Sequence, residues 1–103
     1  MVNSPFKALA HPIRREIVER LATGPATVGE VTGHFGVSKP AISKHLKVLE
    51  ETGVVSRVVD GRTHVLSLET AALDEAAEWL NRQRAIWTRL FDVVGDHLEE
   101  EQR

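Results

Sequence analysis

A run of lysine and serine side chains between positions 38 and 47 has the chemistry that binds nucleic acid. Ammonium groups pair with phosphates, and a hydroxyl can donate a hydrogen bond to a base edge or accept one from it. The residues that carry these groups are Ser38, Lys39, Ser43, Lys44 and Lys47. No carboxylate follows until Glu50. An ordinary solvated helix also carries lysines, so the run alone leaves that alternative open.

The same run is predicted to form a helix that can present these groups. Ser38 is a favourable N-cap, and Pro40 lies in the first turn, where its missing N–H costs no hydrogen bond. Gly53 is expected to end the helix. Apolar residues at i, i+4 and i+7 form one stripe for burial, namely Ile42, Leu46 and Leu49. The lysines then face away from the core, as they do on a recognition helix.

A shorter helix is predicted immediately upstream, over residues 27–35. Thr27 and Glu30 have the spacing of a capping box at its start. Gly36 is expected to supply a left-handed turn before the helix that starts at Ser38. A helix, a glycine turn and a second helix are typical of the helix-turn-helix motif.

Two β-branched runs downstream predict a hairpin. They cover residues 54–59 and 64–68, and Asp60-Gly61 between them is a strong turn signal. The predicted fold class is therefore mainly α with a small β-hairpin, a winged helix-turn-helix. The wing residues expected to contact DNA are Arg57, Arg62 and Thr63.

Two further helices are predicted before the helix-turn-helix. Pro5 begins a short one, and Pro12 begins a second one that ends before Thr23-Gly24. Phe6 and Leu9 provide apolar contacts in the first segment. His11 precedes a proline and is expected to cap or pack at a helix start, with a metal-ligand role as the alternative.

Composition limits the classes of protein that the chain can belong to. Its 103 residues fit one domain, and the absence of cysteine excludes disulfides, thiolate metal sites and cysteine redox sensing. No apolar run has membrane-spanning length and no signal-peptide pattern is present, so we expect a cytoplasmic protein. The first 68 residues carry nine basic and six acidic side chains, whereas the last 35 carry four basic and nine acidic ones. A basic head and an acidic tail fit DNA binding with the tail held away from the duplex.

The tail from residue 70 to residue 98 has the apolar periodicity of one long helix. Its 29 residues span about 43 Å if continuous, whereas a 68-residue head is only about 28 Å across. One head cannot cover the whole stripe, so residues 69–103 are predicted to dimerise and residues 1–68 to bind DNA, in one domain overall. The alternative is a bent helix, broken near residues 81–83, that folds back on its own head. The predicted interface residues on the tail are Leu80, Trp87, Leu90, Phe91, Val94 and Leu98.

Several motifs in order resemble those of the ArsR-type winged helix-turn-helix transcription factors, over about residues 6–68. They are Leu9-Ala10-His11-Pro12-Ile13-Arg14, then Ser38-x-x-Ala41-x-Ser43-x-His45-Leu46, and Gly61-Arg62 in the wing. The resemblance implies a homodimeric repressor of an inverted-repeat operator, often its own, paired through its first and last helices, which adds Phe6 and Leu9 to the interface. It also implies DNA contacts at Ser38, Lys39, Pro40, Ser43, Lys44 and His45. Lys47 and the three wing residues are added from the argument above.

The chain departs from that family at its metal sites. The family's thiolate pattern on the first helix of the helix-turn-helix is replaced by Glu30, Thr32 and His34. A second family site, on the last helix, would use His97 and Glu100, but Arg84 and Ile86 stand at its other two positions. A cation and a hydrocarbon cannot replace an aspartate and an imidazole. We therefore expect no metal and no cofactor, and the sequence identifies no small-molecule effector.

The function predicted from the sequence is sequence-specific binding of double-stranded DNA that represses transcription. The alternative is a winged helix that binds a protein partner through its acidic tail or its tryptophan face. An enzyme is not expected, because Ser43 and His45 are two residues apart on a helix and point in different directions.

Overall fold

The computed structural model describes residues 4 to 101, and the side chains of residues 4 to 96. The chain forms five helices and three strands in these residues. In order they are α1 (Pro5–Ala8), α2 (Pro12–Ala22), β1 (Ala26–Thr27), α3 (Val28–His34), α4 (Lys39–Glu51), β2 (Val55–Asp60), β3 (Thr63–Leu68) and α5 (Thr70–Glu101). The mainly helical fold with a small hairpin is confirmed.

The first two helices begin at prolines, as predicted. Ser4 Oγ accepts a hydrogen bond from the Phe6 N–H at 3.1 Å, and His11 Nδ1 accepts one from the Ile13 N–H at 3.1 Å. Each bond satisfies a donor that the first helical turn leaves without a backbone partner. The prediction that His11 caps a helix is confirmed.

The strands form one antiparallel sheet in the order β1-β3-β2. Val55 pairs with Leu68 at one end of the hairpin and Asp60 with Thr63 at the other, so the connecting turn has two residues. Gly61 has a φ of 62°, a conformation that glycine adopts without strain. Strand β1 was not predicted, because a two-residue strand is too short to show any alternation.

The turn between α3 and α4 differs from the prediction. The left-handed glycines in the described residues are Gly24, Gly53 and Gly61, and Gly36 is not among them. The chain leaves α3 instead through an extended Phe35, with φ −103° and ψ 142°. The Phe35 side chain packs against the core, which fixes the direction of the chain without a left-handed residue.

The core of the winged-helix part collects apolar residues from every element before α5. They are Ala8, Ile17, Leu21, Ala26, Val31, Ile42, Leu46, Leu49, Val54, Val55 and Leu66. The stripe predicted on α4 is almost fully buried, since Ile42, Leu46 and Leu49 are each at most 1% exposed. Burial of each such side chain contributes about 1.5 to 3 kcal/mol to folding, which holds α4 in a fixed orientation.

The chain divides into two compact units, Met1–Leu73 and Asp74–Arg103. Helix α5 is continuous from Thr70 to Glu101, so the alternative of a break near residues 81–83 is wrong. None of the helices in the described part of the chain has both the length and the apolar composition needed to cross a membrane. The proposed division of labour between residues 1–68 and 69–103 stays a prediction.

Candidate nucleic-acid interface

Local sequence and packing together determine how α4 is presented. Ser38 Oγ accepts a hydrogen bond from the Ala41 N–H at 3.3 Å, and Pro40 occupies the first turn. The helix ends at Thr52, followed by Gly53 with a φ of 77°. Because the stripe around Leu46 is buried, the opposite face of the helix is left toward solvent.

The predicted DNA-facing side chains of α4 form one exposed surface, with a single exception. The exposed residues are Ser38, Lys39, Pro40, Ser43, Lys44 and Lys47. The ammonium of Lys47 lies 3.9 Å from the Glu51 carboxylate, and both side chains are largely solvated. Such a pair contributes little and leaves the lysine available to a phosphate. We call these six residues the cationic face.

His45 is the exception, because it is half-buried and contacts α2. Its Nδ1 lies 3.1 Å from Nη1 of Arg14, and its ring lies 4.3 Å from the His11 ring, centroid to centroid. Burial, followed by the charges of His11 and Arg14, lowers the pKa of His45 below its ordinary value of 6.5. The Nδ1 atom of His45 therefore faces protein.

Arg57 on β2 is a second predicted DNA-binding residue whose side chain contacts other side chains of the protein. Its Nε and Nη2 donate to the two carboxylate oxygens of Glu50 at 2.8 and 3.2 Å, and its Nη1 lies 3.1 Å from Nδ1 of His64. The pair joins the wing to the C-terminal end of α4. The other predicted wing residues, Arg62 and Thr63, are exposed.

Two open pockets bring predicted residues together with α3. Arg57, Arg62 and Thr63 line one of about 500 Å³ at the start of α3. Lys39 and Ser43 line another of about 520 Å³ beside the glycine-rich side of α3. The wing and the cationic face thus each border α3. The start of α3 is capped by Thr27, whose Oγ1 accepts a hydrogen bond from the Glu30 N–H at 3.1 Å.

The predicted interface residues on α5 are exposed wherever their side chains are described. Those more than half exposed are Leu80, Trp87, Leu90, Phe91 and Val94. Leu98 lies outside the residues whose side chains are described. In the first segment Phe6 is 40% exposed and Leu9 is half-buried.

Sequence reasoning missed the group formed by His11, Arg14 and His45. Arg14 and His45 are 31 positions apart, and only packing of α2 against α4 brings them together. Within the described residues, no three histidine or carboxylate side chains converge as a metal site would require. His97 and Glu100, half of a possible family metal site, lie outside the described side chains.

Comparison with known proteins places the chain among regulators of transcription. The model of the bacterial regulatory protein, arsR family, matches residues 11–57. The transcriptional repressor SdpR of Bacillus subtilis (strain 168) is 38% identical over 79 residues, which are 77% of this chain and 88% of SdpR. The HTH-type transcriptional regulator Rv2034 of Mycobacterium tuberculosis (strain ATCC 25618 / H37Rv) is 43% identical over 98 residues, 88% of this chain and 89% of that protein.

A solved structure shares the fold over most of its length. The ArsR-like transcriptional regulator from Rhodococcus sp. RHA1 superposes with a TM-score of 0.83 at 30% identity, covering 92% of this chain and 87% of that one. The winged helix-turn-helix predicted from the sequence is confirmed. The chain therefore belongs to the arsR family of bacterial regulatory proteins, as a DNA-binding regulator of transcription.

Proposed function

We propose that the protein is a homodimeric repressor that binds an inverted-repeat operator, with α4 as the recognition helix. The observation that carries this proposal is the cationic face, which is exposed while the opposite stripe of the same helix is buried. A helix held in this way can enter the major groove without losing its contacts to the core.

Within the cationic face the side chains have two tasks. The ammonium groups of Lys39 and Lys47 neutralise phosphates and fix the register of α4 on the duplex. Ser43 and Lys44 reach base edges, because a hydroxyl and an ammonium can read the acceptor pattern of the major groove. The positive end of the α4 dipole adds to the attraction for phosphate.

The wing contributes through two different kinds of residue. Arg62 and Thr63 are exposed at the tip and contact the phosphate backbone beside the recognition helix. Arg57 acts indirectly, because its guanidinium already binds Glu50. His45 acts indirectly as well, through Arg14.

Dimerisation through α5, with α1 contributing, is supported by the exposed apolar residues of these helices. Large side chains such as Trp87 and Phe91 are exposed in the single chain, and surfaces of this kind usually mark an interface. A two-fold axis relates two copies most simply. It would also place two recognition helices about 34 Å apart, one helical turn of DNA, which is why the operator is proposed to be an inverted repeat.

Repression is proposed from the relatives and from the geometry of binding. SdpR is a transcriptional repressor. A dimer seated on an operator that overlaps a promoter excludes other proteins from that DNA, so repression needs no additional domain. A thiolate-based metal response is not part of the proposal, since the chain has no cysteine.

A gel-shift assay tests the proposal. Purified protein is titrated onto a duplex from the region upstream of its own coding sequence, with excess random duplex as competitor. A retarded band that survives the competitor and protects two symmetric half-sites in a footprint supports the proposal. If no genomic fragment is retained on immobilised protein at low salt, the proposed DNA binding is wrong.

A further inference from the structure

Arg14 joins the end of α1 to the middle of α4. Its Nε donates to the carbonyl oxygen of Ala8 at 2.8 Å and its Nη2 to that of Lys7 at 2.9 Å. Its third polar contact is with His45, where Nη1 lies 3.1 Å from Nδ1. One side chain on α2 thus makes polar contacts with two other helical segments of the head, one of which is the recognition helix.

The chemistry of the Arg14–His45 contact sets the protonation state of the imidazole. A guanidinium can only donate hydrogen bonds, so Nδ1 of His45 must accept. His45 is therefore neutral and carries its proton on Nε2. Protonation would place an N–H against the guanidinium, so the hydrogen bond would be replaced by repulsion between two cations.

His11 contacts His45, and its own Nδ1 must also accept a hydrogen bond. Its ring packs on that of His45 at 4.3 Å, and its Nδ1 accepts from the Ile13 N–H at 3.1 Å. A backbone N–H is also only a donor, so a proton on this nitrogen would remove the α2 cap. In both rings Nδ1 is thus placed as the acceptor of a hydrogen bond.

None of the neighbouring groups in the described part of the chain offers His45 a free carboxylate that would favour its protonation. From α2, the groups that face it are His11 and Arg14; burial, followed by the charges of His11 and Arg14, lowers the pKa of His45. From α1, the Lys7 carbonyl is occupied by Arg14. Strand β2 packs against the C-terminal end of α4, where Arg57 donates a hydrogen bond to the Glu50 carboxylate. The neighbours along α4 are Lys44 and Lys47, which are also cations.

We propose that Arg14 is a positioning residue for DNA binding, which holds α4 in its DNA-binding placement only while His45 is neutral, so that operator affinity falls on acidification. The inference rests on the proposed function. Lys44 directly precedes His45, so a displacement of this part of α4 moves a proposed base-reading side chain. Rigid placement of such groups is what makes a binding surface effective.

The direction of the pH effect distinguishes this proposal from ordinary electrostatics. A histidine that gains a proton near DNA adds positive charge and strengthens binding to phosphate. If neutral His45 is needed to position α4, acidification weakens DNA binding instead. A structural role of Arg14 without the protonation step predicts no change with pH in this range.

The test measures fluorescence anisotropy of a labelled duplex from the upstream region, at constant ionic strength, from about pH 8 to about pH 5. The range extends well below 6.5 because the pKa of His45 is lowered from that ordinary value. Wild-type affinity is expected to weaken roughly three- to tenfold, the size of one lost net hydrogen bond. His45→Gln should flatten the profile, because an amide oxygen accepts from Arg14 at every pH. His34→Gln is the matched control, since His34 is exposed and outside the cluster, and it should keep the wild-type profile.

A second measurement does not depend on DNA. In ¹⁵N-detected imidazole spectra at about pH 8, His45 should carry its proton on Nε2, and Arg14→Lys should lower the population of that form. Affinity that is constant or rises on acidification overturns the positioning proposal and leaves the proposed function standing. A proton on Nδ1 of His45 overturns the positioning proposal alone. Failure to bind any genomic DNA at pH 8 overturns both.

Discussion

The guanidinium of Arg57 binds the carboxylate of Glu50 through two parallel hydrogen bonds, Nε to Oε1 at 2.8 Å and Nη2 to Oε2 at 3.2 Å. Arg57 lies on the wing and Glu50 near the end of α4, so one ion pair connects two surfaces that are proposed to contact the same DNA. Both side chains are only 29% exposed, which limits screening of the pair by solvent. The geometry is the bidentate one that gives an arginine–carboxylate pair its specificity.

The first prediction concerns this pair. Glu50→Ala should weaken operator binding even though it removes a negative charge from a DNA-binding surface, because the wing loses its attachment to α4. Arg57→Ala should have a similar effect, and the double variant should be no worse than either single one. Binding isotherms of the three variants provide the measurement. If Glu50→Ala binds more tightly than wild type while Arg57→Ala binds less tightly, Arg57 contacts DNA directly and the indirect role is wrong.

The second prediction concerns the start of α4. Ser38→Ala should lower the free energy of unfolding by about 1 kcal/mol, because the Ala41 N–H loses its acceptor. Ser38→Asp should retain the cap. Urea unfolding measures both, and Ser43→Ala serves as the control, since Ser43 is exposed one turn further along and its loss should change stability by less than about 0.5 kcal/mol. Equal losses for Ser38→Ala and Ser43→Ala would mean that the cap contributes nothing.

The third prediction concerns the apolar face of α5. Phe91→Glu should convert a dimer into a monomer, because it introduces a charge among large apolar side chains that are proposed to pair. Ala85→Glu is the matched control, since Ala85 is exposed, lies about 120° around the helix from Phe91 and borders a pocket with polar residues such as Arg89 and Asp92. Sedimentation equilibrium gives the mass of each variant. A wild-type monomer, or a dimer that Phe91→Glu leaves intact, would contradict the proposed interface.

The fourth prediction concerns stability and pH. The pKa of His45 is lowered in the folded protein, chiefly by burial, so the unfolded chain binds a proton at a higher pH than the folded one. Between the ordinary value of 6.5 and the lowered one, the unfolded state carries more protons. The free energy of unfolding should therefore fall as the pH falls below 6.5.

Denaturant unfolding of wild type and His45→Gln over that pH range provides the measurement. The variant should lose the part of the pH dependence that belongs to His45, while His34→Gln should retain it. An unchanged slope in His45→Gln would show that this imidazole does not carry the effect.

Local rules explain why much of the fold could be predicted from the sequence. The α4 stripe, its cap at Ser38 and the turn at Gly61 each depend on residues within a few positions of one another, and all three are confirmed. The helix-turn-helix was predicted correctly although its turn was not, because Phe35 rather than Gly36 sets the chain direction.

The remaining features depend on contacts between distant segments. β1 exists only because Ala26 and Thr27 pair with β3, some 40 positions later at Leu66 and Val65. His45 has the spacing of a recognition-helix residue, yet its environment is set by Arg14 on another helix. Arg57 was predicted to bind phosphate from its charge and its place on the wing, and no sequence pattern indicates Glu50 as its partner.

DNA binding through α4 is tested most directly by the salt dependence of operator affinity with and without the lysines of this helix. A dimer that makes about 6 to 10 phosphate contacts should lose about 10³ to 10⁵ in affinity between about 50 and 200 mM salt. The triple variant Lys39→Ala, Lys44→Ala, Lys47→Ala should bind far more weakly, and its slope should be smaller by about 0.9 for each phosphate contact removed. Arg82→Ala on α5, whose side chain is exposed beside Glu78, is the single-charge control and should match wild type. If the triple variant binds the operator with wild-type affinity and slope, α4 is not the surface that binds DNA.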